Sequence, residues 1–495
     1  MSNFFTRIIK TELFNFKNVN YGQIKYLNYS SVNSRAKIEN NDVLGIYGQN
    51  GSGKTAIIEA MDILKNLLSG HKVPFDYSGI IRTDGSTKII THFYIEYKNS
   101  KYKAIYEVSL KSNFDKKIIE ICNEKLSYYT RGATWKSLRS FAFSNPYYDN
   151  SLILNEEKVD ISVSHKQHFE DFPLCKHINS LALFCSQKNA SVFFNNTLID
   201  SFVSYEPNNQ ECSNFTAVLT SLFYFGNCYL SVIKVNQLSD INNDYVVPIN
   251  IFRESDDTIV QACLPLLIGN SNRELPESIY NELKKVIPAI NIALKSIVPN
   301  LKIEINEIKK EVKPDNKKYV TFDVYSIREN KKFLIKYESE GIKRIVSLLH
   351  YLISLYNKRE ICLIVDELDS GIFEYLLGEL LGVFSEEAKG QLIFTSHNLR
   401  AFEKMNSKHF ICSTTNPNNR YINLVGIEKN HNQRDFYIRT VLLGGQKEEL
   451  YDALNLQTIS YAFKEAYAGN TKDVKLDFST NFKNIIENNA NKDVE

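Results

Sequence analysis

The sequence has little that would tie it to a membrane or to an oxidising compartment. Its eight cysteines are scattered singly with no C-x-x-C pair. That excludes a paired-cysteine zinc module and a disulfide framework, and reads as buried, reduced thiols. No basic segment followed by an apolar one opens the chain, so a cytoplasmic location is expected. Long hydrophobic runs are missing too. The longest uncharged stretch, Ser213 to Ile233, contains Asn214, Thr216, Thr220, Ser221, Gly226, Asn227 and Ser231. Such a run fits a buried helix-to-strand segment, and no membrane partner is expected. Net charge is only +2, so the total demands no nucleic acid, although a local basic surface would be compatible with it. No internal repeat and no sustained heptad is visible, which favours a compact helical arm over a long coiled coil.

What is present is ordinary globular material: 495 residues, 43% hydrophobic and 23% charged, enough for two to four domains. Thr6 to Phe16 alternates like a strand, and Lys88 to Tyr129 like a β-meander with a Lys-Asn-Ser turn. Ala56 to Leu68 has helical spacing with one apolar face, stopped by Gly70. Leu301 to Ile305 and Val320 to Val324 flank a Pro314-Asp315-Asn316 turn and predict a hairpin. From Ser339 onward strands and helices alternate, which predicts a mostly parallel sheet. The last residues are polar and Asn-rich.

The informative motif is Gly48-Gln49-Asn50-Gly51-Ser52-Gly53-Lys54-Thr55, a match to G-x-x-x-x-G-K-[ST]. It follows the apolar strand Val43 to Tyr47 and opens a helix, the context that gives the pattern meaning. Glycines let backbone N–H groups curl around phosphate oxygens, and the helix N-terminus adds partial positive charge. Lys54 is expected to reach the β- and γ-phosphates of ATP, and Thr55 to ligate Mg²⁺.

Three further segments complete this chemistry. Ile361 to Val365 is a buried-strand run ending in Asp366-Glu367. Asp366 is placed to hold Mg²⁺ through water, and Glu367 to polarise an attacking water. Ser396-His397-Asn398 follows a second apolar strand, Leu392 to Phe394, and puts His397 where it would contact a γ-phosphate. Glu338-Ser339-Glu340-Gly341 precedes an amphipathic helix. Ser339 is a natural N-cap there, and Ser339 with Gly341 would also suit a γ-phosphate presented by a second subunit.

Together these segments resemble the ABC-type ATPase heads of the SMC, RecF and OLD groups. Ser339-Glu340-Gly341 resembles a divergent ABC signature, Leu368-Asp369-Ser370 the D-loop and His397 the switch histidine. Phe14-Asn15-Phe16-Lys17 is similar to the N-terminal segment whose basic residue contacts nucleotide, here Lys17. The resemblance implies an α/β P-loop head, with mixed and parallel sheet flanked by helices and an antiparallel β-subdomain. On this reading residues 1–135 form the first half of the head, 136–298 an inserted, mostly helical arm, 299–428 the second half, and 429–495 a helical extension with a flexible tail.

The stretches "YGQNGSGKTAIIEAMDILK", "DELDSGIFEYLLGELL", "QLIFTSHNLR" and "RDFYIRTVLLGGQKEELYD" are similar to stand-alone ATPases of bacterial phage-defence systems, the PARIS-type (AriA) and AbiL-type subunits. That likeness implies a homo-oligomer of at least two heads, a phage trigger protein, and a separate effector, a nuclease or toxin. DNA is a further partner on the alternative reading, an SMC- or RecF-like repair or clamping ATPase. OLD proteins carry a fused Toprim nuclease, but the stretch after His397 holds no Asp-x-Asp pair, so an effector in trans is expected.

Other clusters are weaker. Arg344 and His350 fit a loose R-x5-H pattern of some RNases, yet Arg344 is more simply a surface or phosphate-facing residue. His165, His168, Cys175 and His177 fit no trusted zinc spacing. Lys309, Lys310, Lys313, Lys317 and Lys318 read as a solvated hairpin tip.

Overall fold

The computed structural model describes residues 4–26, 42–131, 139–144, 185, 188–204, 210–234, 246–255, 258–267, 273–314, 316–329, 331–426, 432–452 and 456–473. The chain divides into two units, Met1–Leu450 and Tyr451–Glu495.

Two six-stranded sheets organise the first unit. One is antiparallel, in the order β2-β1-β4-β5-β6-β7, and comprises β1 (Phe4–Phe16), β2 (Val19–Lys25), β4 (Thr87–Tyr97), β5 (Ser100–Asn113), β6 (Ile118–Thr130) and β7 (Arg139–Ser144). Its strands alternate buried and half-exposed residues, as a sheet with one covered face requires. Tyr97 pairs with Ser100 across Lys98-Asn99, with Lys98 at φ 50°, a left-handed residue that suits a two-residue hairpin loop.

The other sheet has the order β18-β17-β3-β16-β15-β8: β3 (Asp42–Tyr47), β8 (Leu230–Ile233), β15 (Cys362–Val365), β16 (Gln391–Thr395), β17 (Phe410–Ser413) and β18 (Tyr421–Ile422). All its pairings are parallel except β17 with β18. Its central strands are buried along their whole length, which explains their uninterrupted apolar runs. Helix α1 (Lys54–Leu68) touches both sheets, at β1 and at β8 and β15. Its apolar residues Ala56, Ile57, Ile58, Ala60, Met61, Ile63, Leu64, Leu67 and Leu68 are therefore all fully buried. The sequence predicts one apolar face; two flanking sheets bury the helix almost all round.

Within 136–298, α2 (Asn196–Ser204) and α3 (Gln210–Tyr224) lead through a π turn, Phe225–Tyr229, into β8. The uncharged run Ser213 to Ile233 is thus a helix-to-strand segment, and among the described residues no helix is long and apolar enough to cross a membrane. At Gly226 an added Cβ would meet the Leu68 Cβ at 2.5 Å, so only glycine lets the turn lie against α1. The hairpin of β9 (Val246–Ser255) and β10 (Thr258–Leu267) follows. Then β11 (Arg273–Pro276), β12 (Lys302–Val312), β13 (Lys318–Arg328) and β14 (Lys331–Leu334) form a small antiparallel sheet backed by α4 (Glu277–Ile297). The β12–β13 hairpin turns where the Pro-Asp-Asn signal places it.

Helices α5 (Glu340–Asn357), α6 (Glu374–Glu387) and α7 (Ala401–Lys404) alternate with β15, β16 and β17, and α8 (Gln433–Leu443) ends on Gly444. In the second unit α9 (Leu456–Asp473) exposes Tyr461, Phe463 and Tyr467.

At the N-terminal ends of the parallel strands, a buried polar cluster ties the two sheets together. The Gln391 amide donates to Ile8 O at 2.8 Å and to Asp42 Oδ2 at 2.5 Å, and its oxygen accepts from Ile8 N at 3.2 Å and from Cys362 Sγ at 3.4 Å. Arg7 donates to Ile361 O at 3.3 Å and Lys389 O at 2.5 Å.

Candidate functional site

The opposite, C-terminal ends of the same strands carry the sequence-predicted residues, where open α/β sheets take their ligands. The loop after β3 has Gly48, Gly51 and Gly53 at φ 149°, 79° and 91°. All three lie in the left-handed region, open to glycine and strained for other residues. Gly53 caps α1 without a side-chain bond, so the N–H groups that open the helix face the loop, while Ala56 N donates back to Gly53 O at 3.2 Å. An added Cβ at Gly51 would meet nothing within 4 Å, which leaves that flank of the loop open. Lys54, 7% exposed, curls back and donates to Gly48 O at 2.8 Å and Gln49 O at 2.9 Å. Burial lowers its pKa, opposed by the negative field of Asp366, Glu367 and Asp369.

Asp366 and Glu367 follow β15 directly. Asp366 is 1% exposed and its Oδ1 accepts from the Thr395 hydroxyl at 2.5 Å. Glu367 adopts φ 46°, rare for a residue with a Cβ. Four hydrogen-bonding groups fix that turn. Glu367 N donates to Thr395 Oγ1 at 2.7 Å, Leu368 N donates to Thr395 O at 2.9 Å, and Glu367 O accepts from Ser370 N at 2.9 Å and from Arg344 Nη2 at 3.1 Å. Asp369 Oδ2 accepts the backbone N–H of His397 at 3.1 Å, so the D-loop and the loop after β16 are joined. The His397 ring is exposed, and its pKa is lowered by partial burial and by the Lys54 charge.

Ser339 is the N-cap of α5; its hydroxyl accepts from Ile342 N at 3.5 Å. Gly341 lies against the Gly371 carbonyl, where a Cβ would collide, so the signature and D-loop segments touch within one chain. Lys17, in the turn between β1 and β2 at φ 52°, pairs with Glu59 at 2.9 Å. That ion pair ties the β1–β2 turn to α1.

A cation at this site fits the donor set. Thr55 heads the first turn of α1, and Asp366 is a buried carboxylate with one oxygen bound to a hydroxyl, the hard-oxygen chemistry that Mg²⁺ takes. Triphosphate fits likewise: three glycines in the left-handed region, a helix N-terminus and a buried lysine converge.

Several neighbours escaped sequence reasoning because they arrive from distant strands. Ser52 Oγ bonds Ser413 Oγ, and Tyr421 OH donates to Gly53 O at 2.7 Å. Arg420 donates to Thr414 O at 2.6 Å and Asn18 O at 2.5 Å. Ser413 of β17, Tyr421 of β18 and Arg420 just before it brace the loop and its neighbour Asn18. Lys234, just past β8, contacts Asp62 Oδ2 at 2.8 Å and Tyr77 OH at 2.7 Å.

Of the two positions expected for Arg344, surface or phosphate-facing, the surface one is not found. Arg344 is 6% exposed, beneath the Asp366-Glu367 turn. At the hairpin tip, Lys309, Lys310 and Lys313 face Glu311, Glu277 and Glu274 at 2.5, 3.2 and 2.7 Å. That mixed charge suits solvent. His165, His168, Cys175 and His177 lie outside the described residues.

The family model described as "AAA ATPase domain" matches residues 22–400. No curated protein matches the chain. Among solved structures, the SMC head domain from Thermotoga maritima is 12% identical, with 85% of this chain and 100% of that one covered, at a TM-score of 0.32. The SMC head with extended coiled coil from Pyrococcus furiosus, bound to the C-terminal domain of ScpA, is 11% identical over 85% and 96% at 0.37. The recombination mediator RecF with ATP is 14% identical over 79% and 93% at 0.31.

Proposed function

The chain belongs to the AAA ATPase domain family, and on that premise we propose that it is an ATP-operated switch that pairs two heads and thereby governs a separate effector. The carrying observation is that Lys54, Asp366, Glu367 and Asp369 share one electrostatic neighbourhood at the C-terminal ends of β3 and β15. Lys54 and the amides of the Gly48–Thr55 loop, with Asn50, Gly51, Ser52 and Gly53, hold the phosphates. Thr55 and Asp366 hold Mg²⁺, which when bound neutralises charge on the phosphate oxygens. Glu367 accepts the proton of the attacking water. His397 donates toward the γ-phosphate. Ser339 and Gly341 act on the phosphate held by the second head, and Lys17 reaches nucleotide by leaving Glu59.

The biological setting we propose is anti-phage defence, with a phage component as trigger and a nuclease or toxin as effector. Its support is the motif likeness of the loop, Asp366-Glu367, His397 and C-terminal stretches to that group. The site reading is tested with Glu367→Gln. Turnover should fall about 10²–10³-fold, and light scattering should show a larger species with ATP. Unchanged turnover would remove Glu367 from the role of base. The setting is tested by plating phage on cells carrying the gene with its neighbours. Protection that survives Lys54→Ala would sink it, and turnover stimulated by DNA in a salt-dependent way would redirect the reading to a DNA clamp.

A further inference from the structure

Arg344 is charged, buried and only partly used. It lies in the second turn of α5, the helix capped by Ser339. One nitrogen, Nη2, donates to Glu367 O at 3.1 Å and lies 3.5 Å from Asp366 O. Its Nε and Nη1 have no hydrogen-bond partner among the described residues, and neither does Asp369 Oδ1. A buried unpaired N–H is costly, and Arg344 leaves two nitrogens unpaired where the structural Arg7 leaves only Nε. Arg344 sits in the field of Asp369, Glu367 and Asp366, in that order of strength.

The residue it grips also has an uncommon backbone. Glu367 holds φ 46°, a conformation that persists only where its surroundings over-determine it. Thr395 holds the N–H side of that turn, and Ser370 N and Arg344 hold the carbonyl. Ser370 is part of the turn itself, whereas Arg344 reaches it from another helix. Removal of the guanidinium therefore leaves the carbonyl held only from within its own turn, by Ser370 N, and gives the Glu367 carboxylate more room to swing.

We propose that Arg344 is a positioning residue for Glu367: it fixes the left-handed turn and so aims the carboxylate at the water that attacks ATP. The proposal rests on the reading of Glu367 as general base. Since α5 begins at Ser339, the same rigid helix links the segment that meets the second head to the base of its own head.

The test uses the full chain, with Arg344→Met and Arg344→Lys made alone and on Glu367→Gln. Binding is read with a fluorescent ATP analogue and Mg²⁺, and turnover at saturating ATP. Arg344→Met should bind nucleotide within about threefold of the unaltered chain yet turn over about 10²-fold more slowly, a loss in kcat rather than KM. Arg344→Lys, which keeps the charge without the planar fork, should recover part of it. On Glu367→Gln, Arg344→Met should cost nothing further, as expected for residues acting as one unit. Unchanged kcat, or a loss that multiplies with that of Glu367→Gln, overturns the proposal. Should Arg344→Met not fold, Arg344→Lys decides by the same readouts; failure of both to fold makes Arg344 structural and overturns it. Full turnover in Glu367→Gln sinks the base assignment and this proposal with it. An inactive Glu367→Gln beside a fully active Arg344→Met sinks the proposal alone.

Discussion

The two ends of one parallel sheet solve the same problem differently. Strands β3, β15 and β16 begin at Asp42, Cys362 and Gln391 and end at Tyr47, Val365 and Thr395. At the beginning, Gln391 spends its whole amide on Ile8, Asp42 and Cys362, and Arg7 places two of three nitrogens on carbonyls. At the end, Arg344 uses one of three, Asp369 leaves an oxygen without a partner, and Gly48 and Glu367 hold left-handed backbone. Both ends bury charge. One closes all but the Arg7 Nε bond within the chain and so joins two sheets; the other leaves more of them incomplete among the described residues, as a site that must receive phosphate requires.

Substitutions at the two ends should therefore separate activity from stability. The largest effect is expected at Lys54→Ala. Loss of the cation that faces the phosphates should reduce ATP turnover by about 10³-fold or more, while the midpoint of urea unfolding without nucleotide stays within error. A large drop in that midpoint would break the comparison. Next is Gln391→Leu, which leaves Ile8 N and O and Asp42 without their buried partner. It should cost about 2–4 kcal/mol in urea unfolding, with ATP affinity of the folded fraction unchanged. Smallest is a pH effect at Asp42. Burial pushes its carboxyl up to about 7, against the pull of Arg7 and Gln391. Folded chain thus holds that proton more tightly than unfolded chain, and this stabilisation is lost as pH rises from about 4 to about 7. Asp42→Asn should flatten that part of the stability profile by at most about 1.4 kcal/mol per pH unit. An unaltered profile would mean that Arg7 already keeps Asp42 ionised.

What was legible in the sequence follows the same division. Gly48 to Thr55 is contiguous, and its chemistry depends on local backbone, so glycine spacing reveals it. Asp366-Glu367 and His397 are legible because each directly follows a run of apolar residues that can only be a buried strand. The brace of Ser413, Arg420 and Tyr421 is not legible, since nothing local marks residues that meet the loop through β17 and β18. Arg344 misleads for the same reason: a charged residue on an amphipathic helix reads as surface until Glu367 O is seen above it. Strand β8 is four residues long, and it becomes part of the parallel sheet only through its pairing with β15.

The position of β3 has a consequence for how the chain is made. The strand that launches the phosphate loop lies between β16 and β17, hundreds of residues later in the sequence. During synthesis at about 5–20 residues per second, β3 waits tens of seconds for its partners. Through that interval an apolar strand with two open edges, and the buried helix after it, must be kept from other nascent chains. Yield of the folded protein should therefore depend on chaperone supply and on growth temperature more than its finished core would suggest.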